Sequence, residues 1–301
     1  MNLLKKLQEE IIKLNPLQAS FIKKNLNELT KAELNSFNTY ISYCMEIGAD
    51  IIFLAESYDL IVKDTFKEQV YFKRNKRYRF SKYDEVADSV YNSDEYMKKY
   101  MFGLAISAFL WPNHRVMHQY FLAILNDTPS NKEAEYLEIG PGHGFYFMQS
   151  MKNTNFSHYT GVDISPTSVE LTKSIISSAH FGSYSNYNII ESNFLSWTSE
   201  KKFDFIVMAE VLEHVEQPLL FLEKSHEILT NSGTAFITTC INAPAIDHIY
   251  LYDSVKHLSS QVSKAGFKII SELVVPYVEL SLEETMKQML PVNIAMYITK
   301  K

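Results

Sequence analysis

The sequence has few of the residues that mark several protein classes. Cysteine occurs only twice in 301 residues, at Cys44 and Cys240, which excludes a disulfide framework and favours a reducing compartment. The longest apolar run, from Met101 to Trp111, is too short to cross a bilayer. The first ten residues carry charges where a signal peptide has its apolar centre. We therefore predict a soluble, cytoplasmic protein with no membrane partner.

Positive charge is also scarce. The chain has 29 Lys and Arg residues against 35 Asp and Glu residues, which gives a formal net charge of -6. Phosphate binding depends on clustered Lys and Arg, so nucleic acid is not expected as a partner. The basic run at residues 73–79 is the local exception, and a solvated turn is a better interpretation of it than a phosphate site. The hydrophobic content of 46% is sufficient for a substantial core.

The pattern of apolar residues changes near residue 130. Residues 1 to about 126 follow helical spacing, with a capping-box start at Thr30 and Glu33. Residues 126–132 are polar, contain a proline and predict a linker. We therefore expect two domains, a helical domain over 1–130 that selects the substrate and a second domain over 131–301.

Strands and helices alternate in the second half. Strands are predicted at 135–139, 158–162, 187–191, 203–208, 234–240, 268–275 and 293–299, and helices at 145–151, 166–178, 218–229 and 253–265. Alternation of this kind predicts a mainly parallel sheet with helices on both faces, and ligands bind outside the carboxyl ends of such strands. The predicted fold class is therefore α/β, a Rossmann-like seven-stranded mostly parallel sheet preceded by an all-helical N-terminal domain.

The first predicted strand ends in a glycine-rich turn, Glu138-Ile139-Gly140-Pro141-Gly142-His143-Gly144. Glycine lets the backbone approach a ligand closely, and the free N–H groups of the following helix point at it. A dinucleotide-binding turn would place its third glycine at position 145, which is Phe. The spacing behind an acidic residue instead resembles motif I of the class I S-adenosylmethionine-dependent methyltransferases.

Two further strand ends carry polar residues that suit a nucleoside. Asp163 ends the second strand, where a carboxylate can accept hydrogen bonds from ribose hydroxyls, although it can also cap the next helix, a role that suits Ser165 better. The third strand ends at Asn193, where the family usually has Asp for the adenine amino group. The amide can still accept and donate there, and a surface turn is the alternative. The resemblance implies that the cofactor is S-adenosylmethionine, with S-adenosylhomocysteine as product, and that it contacts Glu138, Gly140, Pro141, Gly142, Gly144, Asp163, Ile164, Asn193, Phe194 and Glu210.

The segment from Phe203 to Val215 contains Glu210-Val211-Leu212-Glu213-His214. It is similar to a stretch of methyltransferases that act on small molecules, including the ubiquinone-pathway branch, and unlike the motif of enzymes that methylate nucleic-acid bases. Some relatives bind a divalent metal on the residues that match Glu210, Glu213 and His214, but in many others these residues only cap and pack the turn. We predict no metal site here, and none at the helical pair His114 and His118, which lacks a nearby third ligand.

Candidate catalytic and acceptor-binding residues are distributed along the sequence and do not form one motif. His248 is the first candidate for a general base, since its intrinsic pKa is near neutral, with His214, His143 and His114 behind it. His248 and His143 can equally be structural histidines. Predicted acceptor contacts are Tyr96, Tyr100, Trp111, His114, Asn242, Asp247 and Tyr250.

The resemblance implies in-line transfer of a methyl group to a small-molecule acceptor, which requires alignment, exclusion of water and removal of a proton. We favour oxygen as the accepting atom. The alternatives are methyl transfer to carbon or nitrogen and a non-catalytic protein that binds S-adenosylmethionine for a partner. A dehydrogenase is disfavoured by Phe145, and a serine hydrolase by the lack of a nucleophile elbow. The oligomeric state is not predicted.

Overall fold

The first half of the chain is helical, as predicted. The computed structural model describes residues 3–87, 90, 93–128 and 133–301. The helices of this part are α1 (Leu3–Leu14), α2 (Ala19–Asn27), α3 (Lys31–Glu46), α4 (Ile51–Asn75), α5 (Tyr83–Val86), α6 (Asp94–Leu110) and α7 (Pro112–Asp127). The predicted linker begins too early, because α7 continues to Asp127, and residues 129–132 lie outside the described part.

Local signals set the ends of several of these helices. Thr30 accepts a hydrogen bond from the backbone N–H of Glu33 and Glu33 bonds back, which confirms the capping box at the start of α3. Asp50 caps α4 through the N–H of Phe53 at 2.8 Å. At the other end of α4, Lys76 adopts a left-handed conformation that stops the helix.

Helices α4 and α6 lie against each other at Gly103. A Cβ atom on Gly103 would meet the backbone oxygen of Ser57 at 2.4 Å and Ile61 at 2.8 Å. Only glycine allows this approach of two helix backbones. The close contact holds the two helices that later form one wall of the cavity.

The second half contains a seven-stranded sheet. Its strands are β1 (Glu135–Ile139), β2 (His158–Asp163), β3 (Tyr187–Glu191), β4 (Phe203–Ala209), β5 (Leu229–Ile241), β6 (Phe267–Val275) and β7 (Val292–Lys300). The strand order is β3-β2-β1-β4-β5-β7-β6, and only β7 runs antiparallel to its neighbours. The helices of this half are α8 (Phe145–Asn153), α9 (Pro166–Ser177), α10 (Pro218–Ile228), α11 (Val255–Lys264) and α12 (Leu282–Lys287). The predicted fold class is confirmed.

The sheet has an apolar core on each face, since side chains alternate along a strand. On β4, Phe205 and Val207 belong to the core that includes helices α1 to α9. Their neighbours Ile206 and Met208 belong to the core under α10 and α11. The helical first half therefore shares a continuous core with one face of the sheet. Helix α7 joins the helical half to the sheet, because the ring centroids of Phe121 and Phe236 of β5 are 5.0 Å apart.

No helix in the described ranges combines the length and apolar character needed to span a membrane.

Candidate active site

A cavity of about 960 Å³ lies where the carboxyl ends of β1, β2, β4 and β5 face the N-terminal helices. Parallel strands leave a crevice at this edge of the sheet, where ligands bind in α/β folds. One end of the cavity is formed by the glycine-rich turn after β1. The other walls come from α4, α6 and the start of α7.

The glycine-rich turn has the backbone that only glycine adopts readily. Gly140 and Gly142 have φ values of +67° and +58°, in the left-handed region. A Cβ atom on Gly140 would meet Val211 at 2.8 Å, so the turn lies directly against the loop that follows β4. Gly140, Pro141 and Gly142 all line the cavity.

Gly144 has a different place from the other two glycines. It has φ +76° and precedes α8, but a Cβ atom there would meet Thr172 at 2.8 Å and Ile175 at 2.7 Å on α9. It does not line the cavity among the described residues. Gly144 therefore allows α8 to pack closely against α9. The structure does not bring this predicted ligand contact to the cavity.

Asp163 connects β2 to the glycine-rich turn. Its carboxylate accepts hydrogen bonds from the N–H of Gly142 at 3.0 Å and of Ser165 at 2.9 Å. Burial raises the pKa of Asp163 to about 6, although these backbone donors oppose the rise. A carboxylate has about four acceptor positions, so two remain for a ligand. Ser165, and not Asp163, caps α9 through the N–H of Ser168.

Glu138 is enclosed beneath the turn. The hydroxyl of Tyr136 donates to its carboxylate, and the hydroxyl of Ser150 donates to Tyr136 at 2.8 Å. Burial raises the pKa of Glu138 to about 8, with a smaller contribution from nearby Asp163. The side chain is therefore mostly protonated at neutral pH and lines the cavity beneath the glycine-rich turn.

Asn193 and Phe194 follow β3 and both line the cavity, as does Ile164 after β2. The amide oxygen of Asn193 accepts a hydrogen bond from the N–H of Leu195 at 2.9 Å. This bond fixes the orientation of the amide and leaves its NH₂ group as the donor for a ligand. Asn193 therefore forms a turn after β3 and also lines the cavity.

The Glu210–His214 segment forms a tight turn after β4. Glu210 lines the cavity with φ +53°, and its carboxylate accepts from the hydroxyl of Thr238 at 2.7 Å. Glu213 points away from the cavity, accepts from Thr239 at 2.7 Å, and uses its backbone oxygen to bind the N–H groups of Ile249 and Tyr250. Burial, together with the charge of Glu210, raises the pKa of Glu213 well above its usual range. Glu213 therefore holds the loop that carries His248.

A chain of polar contacts runs from α6 to the turn after β4. The hydroxyl of Tyr100 donates to Asp247 at 2.9 Å, and Nδ1 of His214 lies 3.4 Å from the other carboxylate oxygen of Asp247. Asp247 is only 2% exposed. The same Nδ1 of His214 lies 3.1 Å from the backbone oxygen of Asp247, which can only accept, so the His214 proton lies on Nδ1. All three residues line the cavity.

His248 lies next to His214, with ring centroids 4.7 Å apart. Its Nδ1 is 2.6 Å from the backbone oxygen of Ala243, which can only accept. The proton therefore sits on Nδ1, and Nε2 carries the lone pair. Burial, and secondly His214, lowers the pKa of His248 to about 4, so the ring is neutral at pH 7.

His143 of the glycine-rich turn and His114 of α7 lie near each other in the cavity wall. Nδ1 of His143 accepts from the N–H of Phe145 at 3.2 Å and so shapes the glycine-rich turn. Nδ1 of His114 bonds with Ser107 at 2.9 Å, and since the Ser107 hydroxyl donates to Leu104, the His114 proton sits on Nδ1. Burial lowers the pKa of each histidine to about 4. Both line the cavity, as does Trp111, whose ring packs 4.9 Å from His114.

Three predicted acceptor contacts are not brought to the cavity. Tyr96 turns its hydroxyl to Asp64 at 2.7 Å and stacks on Tyr100. Asn242 is buried near Met286 on α12, and Tyr250 bonds with His257 at 3.2 Å and Gln261 at 2.6 Å. The loop turns Tyr250 away because Glu213 binds two of its backbone N–H groups.

The sequence reasoning missed most of the apolar wall. Met97, Met101, Leu104 and Ala108 of α6 line the cavity with Ile61 and Val62 of α4. The α6 residues recur at helical spacing, which was the available signal, but α6 is apolar around most of its surface and so does not mark a preferred face. Tyr78, inside the basic run, is also buried, with its ring 5.7 Å from His248.

The possible metal ligands cluster differently from the sequence motif. Among the described residues, the sets with donor atoms within 4.8 Å of one another are Glu213, Cys240 and His248, and His214, Asp247 and His248. Glu210 joins neither set. The pair His114 and His118 also joins none, and His118 instead packs its ring 4.9 Å from Phe145.

Comparisons with known proteins agree with this architecture. A family model described as a methyltransferase domain matches residues 113–272, more than half of the chain. No curated protein matches the chain significantly.

Solved structures share the fold at low sequence identity. A putative methyltransferase complexed with the Trm112 activator from Haloferax volcanii has a TM-score of 0.50 and 14% identity, covering 70% of this chain and 98% of its own. The [4+2]-cyclase SpnF has a TM-score of 0.50 and 11% identity, covering 63% and 83%. The N-methyltransferase NodS from Bradyrhizobium japonicum, solved with S-adenosylhomocysteine, has a TM-score of 0.48 and 14% identity, covering 64% and 91%. By its matched domain and its fold, the chain belongs to the class I S-adenosylmethionine-dependent methyltransferases.

Proposed function

We propose that the protein transfers a methyl group from S-adenosylmethionine to an oxygen atom of a small-molecule acceptor. The observation that carries the proposal is the single cavity, which joins a glycine-rich turn and the Asp163 carboxylate at one end to histidines and Asp247 at the other. A donor and an acceptor bound in one cavity lie close enough for direct transfer.

The donor end fits a nucleoside with an amino-acid tail. Asp163 has acceptor positions left for two ribose hydroxyls, Asn193 offers its NH₂ group to a ring nitrogen, and Phe194 offers an apolar face. Gly142 leaves open space, since a Cβ atom there would have its nearest contact at 3.7 Å, and this suits the methionine part, while Gly140 lies directly against Val211. Glu138, Pro141, Ile164 and Glu210 complete the proposed contacts, and Gly144 acts through packing. When bound, S-adenosylmethionine supplies the activated methyl group.

The acceptor end has residues that can orient a hydroxyl and remove its proton. His248 is our first candidate for the base, because its tautomer leaves Nε2 free of a proton and the ring is neutral at pH 7. His214 follows, because its Nδ1 donates to Asp247 and Nε2 is left as the acceptor. Tyr100, Trp111 and His114 form the proposed acceptor wall, and the surrounding helices exclude water.

We also infer that residues 1–130 select the acceptor and that the protein acts in the cytoplasm. Helices α4, α6 and α7 contribute the acceptor wall, which supports the first point. The second is supported by Cys44 and Cys240, which are both buried free thiols.

Calorimetric titration with S-adenosylhomocysteine tests the donor site. We expect micromolar binding that Asp163→Ala weakens by about 1–3 kcal/mol, the scale of losing hydrogen bonds to a charged group. Asp163→Asn, which keeps one acceptor oxygen, is expected to lose less. The absence of binding by folded wild-type protein would remove the donor-site proposal.

Labelled S-adenosylmethionine with a panel of hydroxyl, amine and carbon acceptors tests the transfer. Label on a hydroxyl supports the proposal, and label on nitrogen or carbon replaces the accepting atom. Binding of the donor without transfer to any class of acceptor would favour a non-catalytic binding protein.

A further inference from the structure

The walls of the cavity carry acidic side chains without basic ones. The described lining residues include the acids Glu138, Asp163, Glu210, Glu216 and Asp247, of which Glu138 is mostly protonated at neutral pH, and no Lys or Arg. A cavity that receives a phosphate, sulfate or carboxylate usually offers a fixed cation or a set of N–H donors to it. At the acceptor end, the described residues offer neither Lys nor Arg.

Five cations of the helical region form ion pairs with carboxylates outside the cavity. The described ion pairs of α2, α4 and α6 and of the segment after α4 are Lys24–Glu279, Lys63–Asp59, Lys67–Asp64, Arg79–Glu68 and Lys99–Glu56, at 2.6 to 3.0 Å. None of these cations lines the cavity. Moving one of these five cations inward would break an existing ion pair.

Asp247 is the buried carboxylate that lines the cavity beside His214 and His248. Asp247 is 2% exposed and is contacted by Tyr100 and His214, neither of which carries a permanent positive charge. An anionic group bound beside it would be repelled at short range in a buried environment. A neutral hydroxyl or an ammonium group would not be repelled by Asp247.

Three of the four histidines that line the cavity do not replace a cation. His114, His143 and His248 are held neutral at pH 7 because burial lowers the pKa of each to about 4. They can accept or donate hydrogen bonds, but they do not neutralise an anion under these conditions.

The rest of the acceptor wall is apolar. Met97, Met101 and Leu104 on α6 line the cavity together with Ile61 and Val62 on the adjacent α4. The apolar lining continues to the surface at Phe66 and Val278, which are 70% and 41% exposed. Such a wall favours a ligand that buries hydrocarbon or aromatic surface.

We infer that the acceptor is an apolar compound, neutral or cationic, that carries no phosphate, sulfate or carboxylate group. The inference deepens the proposed function and rests on it, because it names the class of molecule that would occupy the acceptor end. It excludes nucleotides, acyl thioesters of coenzyme A, and free organic acids as acceptors.

The test uses two fluorescent probes with the same aromatic skeleton, N-phenylnaphthylamine, which is neutral, and anilinonaphthalene sulfonate, which carries one negative charge. Both are titrated into the full chain at pH 7 with saturating S-adenosylhomocysteine. Cavity binding is defined as the signal that Leu104→Trp removes, since a larger side chain at this position fills the apolar wall. We expect the neutral probe to bind tighter by about tenfold or more, which corresponds to about 1.4 kcal/mol.

A charge change at the same position sharpens the test. Leu104→Lys places a cation in the wall and is expected to raise the affinity of the sulfonate relative to the neutral probe. Leu104→Gln, similar in size and uncharged, is the matched control and is expected to leave the preference unchanged. Circular dichroism checks that both variants fold, and the wild-type comparison stands without them.

Equal or tighter cavity binding of the sulfonate by wild-type protein would overturn the inference, as would the absence of cavity binding by both probes. These outcomes differ from a failure of the proposed function. If S-adenosylhomocysteine itself does not bind, the donor site is at fault. If it binds and the sulfonate is preferred, only the acceptor class is wrong.

Discussion

The protonation of Glu138 gives the most quantitative prediction. Its pKa is raised from 4.5 to about 8, so between these values the folded protein holds a proton that the unfolded chain has released. The unfolded state then binds fewer protons, and the free energy of unfolding falls as pH rises through this window. Because one pKa unit corresponds to about 1.4 kcal/mol, the cost approaches about 5 kcal/mol above about pH 8.

Glu138→Gln removes this titration and keeps a side chain of similar size that can bond with Tyr136. Urea unfolding of both proteins, followed by tryptophan fluorescence at about pH 5 and about pH 9, measures the difference. We expect wild type to lose about 4 kcal/mol more than the variant over this range, since the cost is already about 1 kcal/mol at the lower pH. Glu170→Gln, an exposed position on α9, is the control for changing a carboxylate to an amide.

An equal pH dependence in wild type and Glu138→Gln would refute the reasoning. It would mean that Glu138 is ionised in the folded protein, and that Tyr136 and Ser150 compensate for its burial.

Three further predictions concern the turn, the base and the metal. Gly144→Ala should destabilise the fold by about 2 kcal/mol or more in urea unfolding, since it adds a clash with α9 to the strain of a left-handed backbone. Gly142→Ala should cost only about 1 kcal/mol, because its nearest contact is 3.7 Å away at Met101. His248→Ala should reduce methyl transfer about a hundredfold and leave the affinity for S-adenosylhomocysteine unchanged by calorimetry; a weakened affinity would point to a structural histidine. Dialysis against a chelator should leave methyl transfer and the affinity for S-adenosylhomocysteine unchanged, because burial raises the pKa values of Glu213 and Cys240 and keeps these candidate ligands protonated. Loss of activity that a divalent metal restores would contradict this prediction.

The sheet could be predicted closely because each buried strand is a short apolar run bounded by polar residues. β1 and β3 begin and end at the predicted residues. β5 begins five residues earlier than predicted, at Leu229, which pairs with Phe203 across an irregularity in register. Residues 231–233 (Asn, Ser and Gly) lack a strand pattern, so the sequence does not predict this extension.

The donor end of the site could also be predicted, since its residues directly follow strands whose carboxyl ends meet at one edge. Asp163 and Asn193 line the cavity for this reason. The acceptor end could not, because it depends on how helices rotate and pack. Tyr96 and Tyr100 are four residues apart on α6 and stack on each other, yet only Tyr100 reaches the cavity. A similar limit applies to Tyr250, whose direction is set by backbone hydrogen bonds to Glu213.

The place of α6 explains why the two ends of the site belong to one structure. The sulfur of Met101 lies 3.7 Å from where a Cβ of Gly142 would be, so α6 closes directly over the glycine-rich turn. Tyr100, the preceding residue, reaches Asp247 on the opposite wall. One helical turn later, Gly103 holds α6 against α4 by a contact that no larger residue allows. A shift of α6 would therefore move the acceptor wall, the Asp247 contact and the cover of the donor site together. Helix α6 therefore contributes to both ends of the cavity, and the helical half lines it together with the sheet.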